Sequence, residues 1–181
     1  MERLRVQPEA VDGYLCGLRS GNKENLGDLY RYMGGLLYFY ALSIVKERHT
    51  AEDVVQDVFV KVYKNIQKYK PGTNGLMWLM KITKNTAIDA KDTRPLTVIT
   101  EKTGKKKSPE FAVTGAAFVD YILGHLKKSE RQVVTMRLYG GCTFTEVGKL
   151  LGITENAAEL RYRSAMKKLK TLLEKEGIHY G

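Results

Sequence analysis

The aromatic, amide and basic side chains between residues 69 and 89 form the stretch of this sequence best suited to binding chemistry. Trp78 and Asn85 lie seven residues apart, which places them on one side of a helix, and Lys81 and Lys84 lie on the flank between them. An indole can stack on an unpaired base, an amide can bond its edge, and lysines can neutralise phosphates. The pattern therefore predicts a single-stranded nucleic-acid site. Its structural alternative is a tryptophan in the core beside an asparagine that caps a chain end.

Two amphipathic helices and the loop 69–75 between them must position these side chains. The first helix is predicted to begin at Thr50, because threonine is a good N-cap and Asp53 occupies the capping-box position. Apolar residues recur at helical spacing in both helices, which predicts one buried face on each. These faces are Val54, Val55, Val58, Phe59, Val62 and Ile66 in the first helix, and Leu76, Leu79, Ile82, Thr83, Thr86 and Ala90 in the second.

The opposite face of the first helix carries acids and an amide around one apolar residue. It comprises Asp53, Gln56, Asp57, Val60 and Lys64. A solvated surface explains such a face on most helices. A protein-docking face is the alternative, and the apolar Val60 among polar neighbours modestly favours it.

Residues 143–173 have the pattern of a helix-turn-helix. Thr143 and Glu146 form a capping box, Gly152 supplies the turn, and Thr154 caps the next helix. The residues expected to face the core are Val147, Leu150 and Leu151, with the small Gly148 where the two helices cross.

The second helix of this motif presents a mixed and largely basic surface, made of Asn156, Glu159, Arg161, Arg163, Lys167 and Lys168. A recognition helix in the major groove uses such side chains, and arginine can read guanine or grip phosphate. An amphipathic helix with a basic face and no nucleic-acid partner is the alternative.

The remaining periodicity completes an all-α fold of two small helical domains joined by a flexible linker. A frayed arm (1–10), a short helix (11–18) and a long helix (23–46) precede the two helices described first, and helices at 110–127 and 129–139 precede the helix-turn-helix. The last of these is expected to bury Val133, Val134, either Met136 or the stem of Arg137, and Leu138. Linker composition marks residues 93–113, which include the triplet Lys105, Lys106 and Lys107. The predicted divisions are 1–22, 23–92, 93–113 and 114–181.

Composition favours a small cytoplasmic binding protein over an enzyme or a membrane protein. The formal charge of +10 and the isoelectric point near 9.5 suit a polyanionic partner. Cys16 and Cys142 are isolated, so we expect reduced thiols and no metal site. The sequence has no recognisable catalytic set or phosphate-binding glycine loop, so no cofactor is expected. It also has no apolar run long enough to span a bilayer and no apolar signal-peptide core.

Three strings in the sequence carry a family resemblance. AEDVVQDVF (51–59) and WLMKITKNTAID (78–89) closely resemble region 2 of the bacterial sigma-70 superfamily in its short extracytoplasmic-function (ECF) form. LKKSERQVVTMRLYGGCTFTEVGKLLGIT (126–154) is similar to region 4 of the same family. The resemblance covers roughly residues 23–92 and 114–173, with the two regions in the family's order.

The resemblance implies an RNA polymerase sigma factor that docks on core polymerase, through its clamp helices and flap, and binds promoter DNA. By position, Asp53, Gln56, Asp57 and Val60 would face the clamp helices. Tyr69 and Asn85 would line a pocket for a base flipped from the −10 element, with Trp78, Lys81 and Lys84 on the same DNA-binding surface. The −35 element would meet Asn156, Glu159, Leu160, Arg161, Arg163 and Ser164. The family also implies a possible anti-sigma protein as regulator.

Two departures from the family pattern bear on promoter choice. Glu159 stands where a basic residue is common and Leu160 where a small polar one is common, so the −35 sequence is expected to be unusual or weakly read. Ala158 replaces a larger core residue. The alternative function is a stand-alone helix-turn-helix regulator that binds duplex DNA without polymerase.

Overall fold

The computed structural model describes residues 6–93 and 116–176, and this part of the chain is helical without a strand. The helices are α1 (Pro8–Arg19), α2 (Glu24–Val45), α3 (Arg48–Asn65), α4 (Gly75–Thr93), α5 (Ala116–Gly124), α6 (Lys128–Val134), α7 (Phe144–Leu151) and α8 (Glu155–Lys175). A 3₁₀ turn (Ile66–Lys68) follows α3, and a π-helical turn (Thr135–Tyr139) follows α6. The all-α prediction is confirmed. Apart from Thr93, the predicted linker 93–113 with its lysine triplet lies outside the described residues, as does the predicted start of a helix at residue 110.

The N-terminal module consists of α1 to α4 packed around α2. The central helix buries residues on several sides, including Leu29, Met33, Leu37 and Tyr40, because α1, α3 and α4 all contact it. Apolar burial of this kind stabilises the fold by roughly 25 cal/mol per Å². The module therefore has the helices that the sequence predicted, in the predicted order.

The chain is ordered further toward its N-terminus than the sequence indicated. Residues 6–10, predicted to be part of a frayed arm, include the buried Val6 and the first turn of α1. Pro8 suits this position because its missing N–H would have no helical partner there. The Val6 amide donates to the Tyr139 carbonyl at 3.0 Å, so the arm joins the chain's two halves.

The N-cap of α3 lies three residues before the predicted cap Thr50. Glu47 is the N-cap, and its carboxylate accepts bonds from the amides of His49 and Thr50. Thr50 is helical and buried, and its hydroxyl donates to the same carboxylate. A carboxylate here also suits the positive end of the helix dipole, and these bonds hold the pKa of Glu47 below its usual range even though burial alone would raise it. The predicted buried face of α3 is confirmed.

The C-terminal module consists of α5 to α8, and its helix-turn-helix has the predicted caps. Thr143 and Glu146 form the capping box of α7, and Thr154 caps α8. Gly152 ends α7 at a φ of 71° in the left-handed region that glycine tolerates. Gly148 lies at the crossing, where an added Cβ would come 2.7 Å from the Ile153 carbonyl oxygen.

The predicted single helix 129–139 instead ends in the π-helical turn. A π turn is wider than an α turn, so residues after Thr135 change their angular position. Met136 is fully buried, whereas Leu138, predicted to be buried, is 39% exposed.

The two modules pack against each other. One cluster of buried apolar residues continues from the N-terminal module into Val133, Met136 and Val147 of the C-terminal module. The Phe39 and Tyr139 rings stack across this boundary with centroids 6.1 Å apart. In the described ranges, no helix combines the length and apolar character needed to cross a bilayer.

Candidate docking and nucleic-acid interfaces

A groove of about 270 Å³ lies between α3 and α4. Its lining residues are Lys61 and Asn65 of α3, Lys68 of the 3₁₀ turn, and Trp78, Ile82, Asn85 and Thr86 of α4. The groove is slightly smaller than pockets that enclose drug-sized ligands, which suits a single base. It brings the predicted pair Trp78 and Asn85 into one recess.

Three polar residues of this groove were missed by the sequence analysis. Lys61 Nζ donates to Thr86 Oγ1 at 3.0 Å and lies 3.8 Å from the Asp89 carboxylate, which ties α3 to α4. Asn65 donates to the Lys61 carbonyl at 2.9 Å, and Lys68 is exposed at the end of the 3₁₀ turn. The spacing of residues 61, 65 and 68 places them on one helical side, a signal present in the sequence. They add two cations and an amide to the wall opposite Asn85.

Tyr69 does not line the groove, although the sequence assigned it to the base-binding pocket. It is almost fully buried, because its hydroxyl donates to the Asp12 carboxylate on α1 and lies 3.1 Å from the Thr73 carbonyl oxygen. Burial, and then the bond to Asp12, raises the pKa of Tyr69. Its ring contacts the Trp78 ring with centroids 5.2 Å apart. In this arrangement Tyr69 supports Trp78 from behind.

The two predicted lysines of α4 have different surroundings. Lys81 is exposed to solvent. Lys84 is half-buried, and its ammonium donates to the Leu150 carbonyl at 2.6 Å. Asn74, in the loop before α4, donates to Glu146 Oε1 at 2.5 Å. Helix α4 and the loop before it are therefore bonded to the two ends of α7.

The predicted docking face of α3 is exposed along its length. Asp53, Gln56 and Asp57 lie at the surface, and Val60 is 50% exposed. Tyr63, which the sequence analysis missed, is 45% exposed and extends this face by one turn. Its spacing, seven residues after Gln56 and three after Val60, places it on the same side of the helix. An apolar and aromatic centre with acids at one end suits a contact with another protein.

The N-terminal half of α8 presents most of the predicted duplex-reading residues. Asn156, Arg163 and Ser164 are exposed, and Leu160 is 57% exposed. The two remaining residues, Glu159 and Arg161, are half-buried. Arg163 and Glu159 form an ion pair at 2.6 Å, so the unusual acid engages the neighbouring arginine. Ala158, the small core residue, is fully buried.

A buried acid holds this helix against α6. Glu130 is 6% exposed, and its carboxylate accepts bonds from Lys168 at 2.6 Å and Ser164 at 3.0 Å. Burial alone would raise the pKa of Glu130, but these bonds and one from the Lys127 amide outweigh it and hold the pKa below its usual value. The predicted DNA-contacting Ser164 is therefore also part of the contact between α6 and α8. Among the described residues, no group of three or more side chains could hold a metal ion.

Two family models match the chain in the order of its modules. The model of Sigma-70 region 2 matches residues 29–94, and that of Sigma-70 region 4 matches residues 122–171. Together they cover more than half of the chain. The first range contains the groove and the docking face, and the second contains the helix-turn-helix.

Proteins similar to this chain include named RNA polymerase sigma factors. The chain is 29% identical over 161 residues to the RNA polymerase sigma factor CarQ of Myxococcus xanthus, covering 86% of this chain and 92% of that protein. It is 23% identical over 158 residues to the ECF RNA polymerase sigma factor SigL of Mycobacterium tuberculosis, covering 83% and 89%. Among solved structures, CnrH in complex with the cytosolic domain of CnrY has a TM-score of 0.62 at 26% identity, covering 92% of this chain and 98% of that one. RpoE of Bartonella quintana, solved with the anti-sigma factor NepR, shares the fold at a TM-score of 0.57 and 18% identity, covering 78% and 93%.

Proposed function

This chain belongs to the ECF group of the sigma-70 family of RNA polymerase sigma factors, and from that membership we propose that it is a dissociable promoter-specificity subunit. It docks on core polymerase, binds the −35 duplex with α8, and captures an unpaired −10 base in the groove between α3 and α4. The observation that carries the proposal is that groove, which unites an aromatic plane, an amide and cations on the helix next to an exposed docking face.

Base capture is assigned to the groove's own residues. Trp78 offers a stacking plane, Asn85 offers a donor and an acceptor for a base edge, and Lys61 and Lys68 neutralise flanking phosphates. Unstacking a base costs a few kcal/mol, and stacking on an aromatic ring returns about 1–3 kcal/mol. Tyr69 acts indirectly, because its contact with Trp78 keeps the indole in place.

Docking is assigned to the exposed face of α3. Asp53, Gln56 and Asp57 supply charge and hydrogen bonds for the clamp helices, and Val60 with Tyr63 supplies the apolar centre. The flap of the polymerase is the second contact, assigned to the C-terminal module. Because the docking face and the groove share α3, docking places the groove at a defined point on the polymerase.

Duplex reading is assigned to the exposed residues of α8. Arg163 can contact a base edge or a phosphate. Its ion pair with Glu159 restricts the positions that its guanidinium can reach. Leu160 offers an apolar contact, such as one with a thymine methyl group. The −35 element of this protein therefore differs from one read by a basic residue at position 159.

The modules must separate when both bind promoter DNA. The two elements lie about 25 base pairs apart, or ~85 Å of duplex at 3.4 Å per pair. Modules in contact through Lys84 and Leu150 cannot reach both. The packed arrangement therefore belongs to the chain away from the promoter. A protein that covers these faces is a reasonable regulator, since RpoE of the same fold was solved with an anti-sigma factor.

The test is binding of the labelled chain to bacterial core RNA polymerase at moderate salt. The variant Asp53→Ala/Gln56→Ala/Asp57→Ala should bind at least tenfold more weakly than the parent. A matched control, Glu9→Ala/Glu24→Ala, also removes two exposed acids, but from α1 and α2, and should bind like the parent. Duplex DNA binding without polymerase binding would instead support the stand-alone regulator.

A further inference from the structure

A basic cleft of about 380 Å³ lies where the two modules meet. Ser43 and Lys46, at the end of α2, form its N-terminal wall. The other wall comes from the connection between α5 and α6 and the start of α6, namely Leu126, Lys127, Lys128 and Arg131. Residues from both modules therefore build one recess, on a different part of the molecule from the groove between α3 and α4.

The cleft collects positive charge without an acid in its lining. Four of its six lining residues are cations, and none of them has a carboxylate within 4.0 Å among the residues that the structure describes. The pKa of the Lys128 ammonium is lowered at this place, first by burial and then by repulsion from Lys91 and Lys46. Lys46, Lys127 and Lys128 are exposed and Arg131 is half-buried. Like charges gathered where the modules meet oppose their packing.

Two acids, Glu47 and Glu130, adjoin cleft residues in sequence, and both are already engaged. The Glu47 carboxylate accepts bonds from the amides of His49 and Thr50. Glu130 accepts bonds from Lys168, Ser164 and the Lys127 amide, so its charge is paired at the contact between α6 and α8. Its carboxylate is not among the groups that line the cleft. The lining of the cleft therefore has no acidic side chain to balance its positive charge.

Arg131 has unused hydrogen-bonding capacity at this place. Its Nε is buried and has no hydrogen-bond partner among the described residues. Its terminal nitrogen makes only long bonds, 3.3 Å to the Gly124 carbonyl and 3.4 Å to the Leu126 carbonyl. Because Arg131 lines the cleft and these bonds are long, its guanidinium can still donate to an oxyanion there.

We propose that this cleft binds a small phosphate-bearing anion that bridges the two modules. A phosphoryl group carries several acceptor oxygens and up to two charges, which match a guanidinium fork and adjacent ammonium groups. The hydroxyl of Ser43 already donates to the Tyr40 carbonyl at 2.6 Å, so the cations supply the contacts to the anion. The cleft volume accommodates one or two phosphoryl groups better than a folded macromolecule.

Promoter phosphates are not the ligand of this cleft, a point that rests on the proposed function. The cleft exists only while the modules are packed, and the modules must separate to reach both promoter elements. A bound anion contacts both walls, so it stabilises the packed arrangement by the factor 1 + [L]/Kd. The anion therefore disfavours the extended chain that the promoter requires.

The test is calorimetric titration of the full chain with sodium pyrophosphate at constant ionic strength. The parent should bind one equivalent, and Lys46→Gln/Lys128→Gln should bind at least tenfold more weakly. The matched control is Lys23→Gln/Lys175→Gln, which also removes one exposed cation from each module and should bind like the parent. Equal weakening in both variants, or heat without saturation in the parent, would overturn the proposal.

Three further measurements address charge, folding and ligand source. Lys46→Arg/Lys128→Arg keeps the charge and should retain binding, whereas its failure to bind in a folded chain would also overturn the proposal. Lys46→Gln/Lys128→Gln removes repulsion between the two lysines. Its melting temperature without ligand should therefore equal or exceed that of the parent. Tighter binding of a nucleoside diphosphate than of pyrophosphate would assign a nucleotide, and equal or weaker binding would assign a free oligophosphate. None of these measurements uses polymerase, so they are independent of the proposed function.

Discussion

The Lys84 ammonium donates a 2.6 Å hydrogen bond to the main-chain carbonyl of Leu150. This bond joins the helix that carries the proposed −10 surface to the last turn of α7, where the helix-turn-helix bends. Lys84 is also a candidate phosphate contact. It therefore cannot bond the Leu150 carbonyl in the packed chain and a promoter phosphate at the same time.

Replacing Lys84 by methionine should loosen the packing of the modules. The variant keeps most of the aliphatic stem but loses a charged hydrogen bond worth about 1.5–3 kcal/mol. Small-angle scattering should show a larger radius of gyration than for the parent. Lys81→Met, on the exposed side of the same helix, is the control and should leave the radius unchanged. An unchanged radius in the Lys84 variant would mean that apolar contacts alone hold the modules.

Substitution of the groove residues should impair promoter melting more than docking. Trp78→Ala removes a stacking plane worth about 1–3 kcal/mol, and Asn85→Ala removes a hydrogen bond worth about 1 kcal/mol. Open-complex formation, followed by a fluorescent base analogue in the −10 element, should fall about 5- to 150-fold for Trp78→Ala and about fivefold for Asn85→Ala. Ile88→Ala changes an exposed position outside the groove and serves as the control. Equal loss of polymerase binding would contradict this assignment.

Glu130→Gln should destabilise the C-terminal module by about 1–3 kcal/mol at neutral pH, because it removes the charge that bonds Lys168. The pKa of Glu130 is lowered in the folded chain, so its stabilisation is present above the unfolded-state value of about 4.3. That stabilisation is lost as the pH falls through the lower folded value. Urea unfolding across this acidic window should therefore be less pH-dependent in the variant. Glu174→Gln, an exposed partner of Lys170, should change little.

Gly148→Ala should destabilise the helix-turn-helix. The added Cβ would come 2.7 Å from the Ile153 carbonyl oxygen, which is backbone and cannot rotate away. Overpacking of this kind costs about 1–3 kcal/mol. Gly13→Ala, in the interior of α1, meets no atom within 4 Å and should instead stabilise the chain by about 0.4–1 kcal/mol. Thermal unfolding of both variants measures the contrast, and the same sign for both would refute the crossing argument.

Several local features were predictable because their causes lie within a few residues. The caps at Thr143 and Thr154, the left-handed Gly152 and the buried faces of α3 depend on short spacings along the chain. The start of α3 was predicted at Thr50 because threonine is a common N-cap, whereas the preceding Glu47 satisfies two amides. The π turn that exposes Leu138 left no clear signal, because it depends on how the helix end packs.

The sequence by itself determined the helices, their order, the family and the helical side shared by Trp78 and Asn85, because helical periodicity is a local property of the chain. Only the tertiary structure decided which faces meet. Packing of α1 against the loop buries Tyr69 on Asp12, and packing of α3 against α4 adds Lys61 to the groove. Contact between the modules brings Lys46 to Lys128 across more than 80 residues of chain. Such pairings follow from the shape and burial of whole surfaces, which spacing along the chain does not specify.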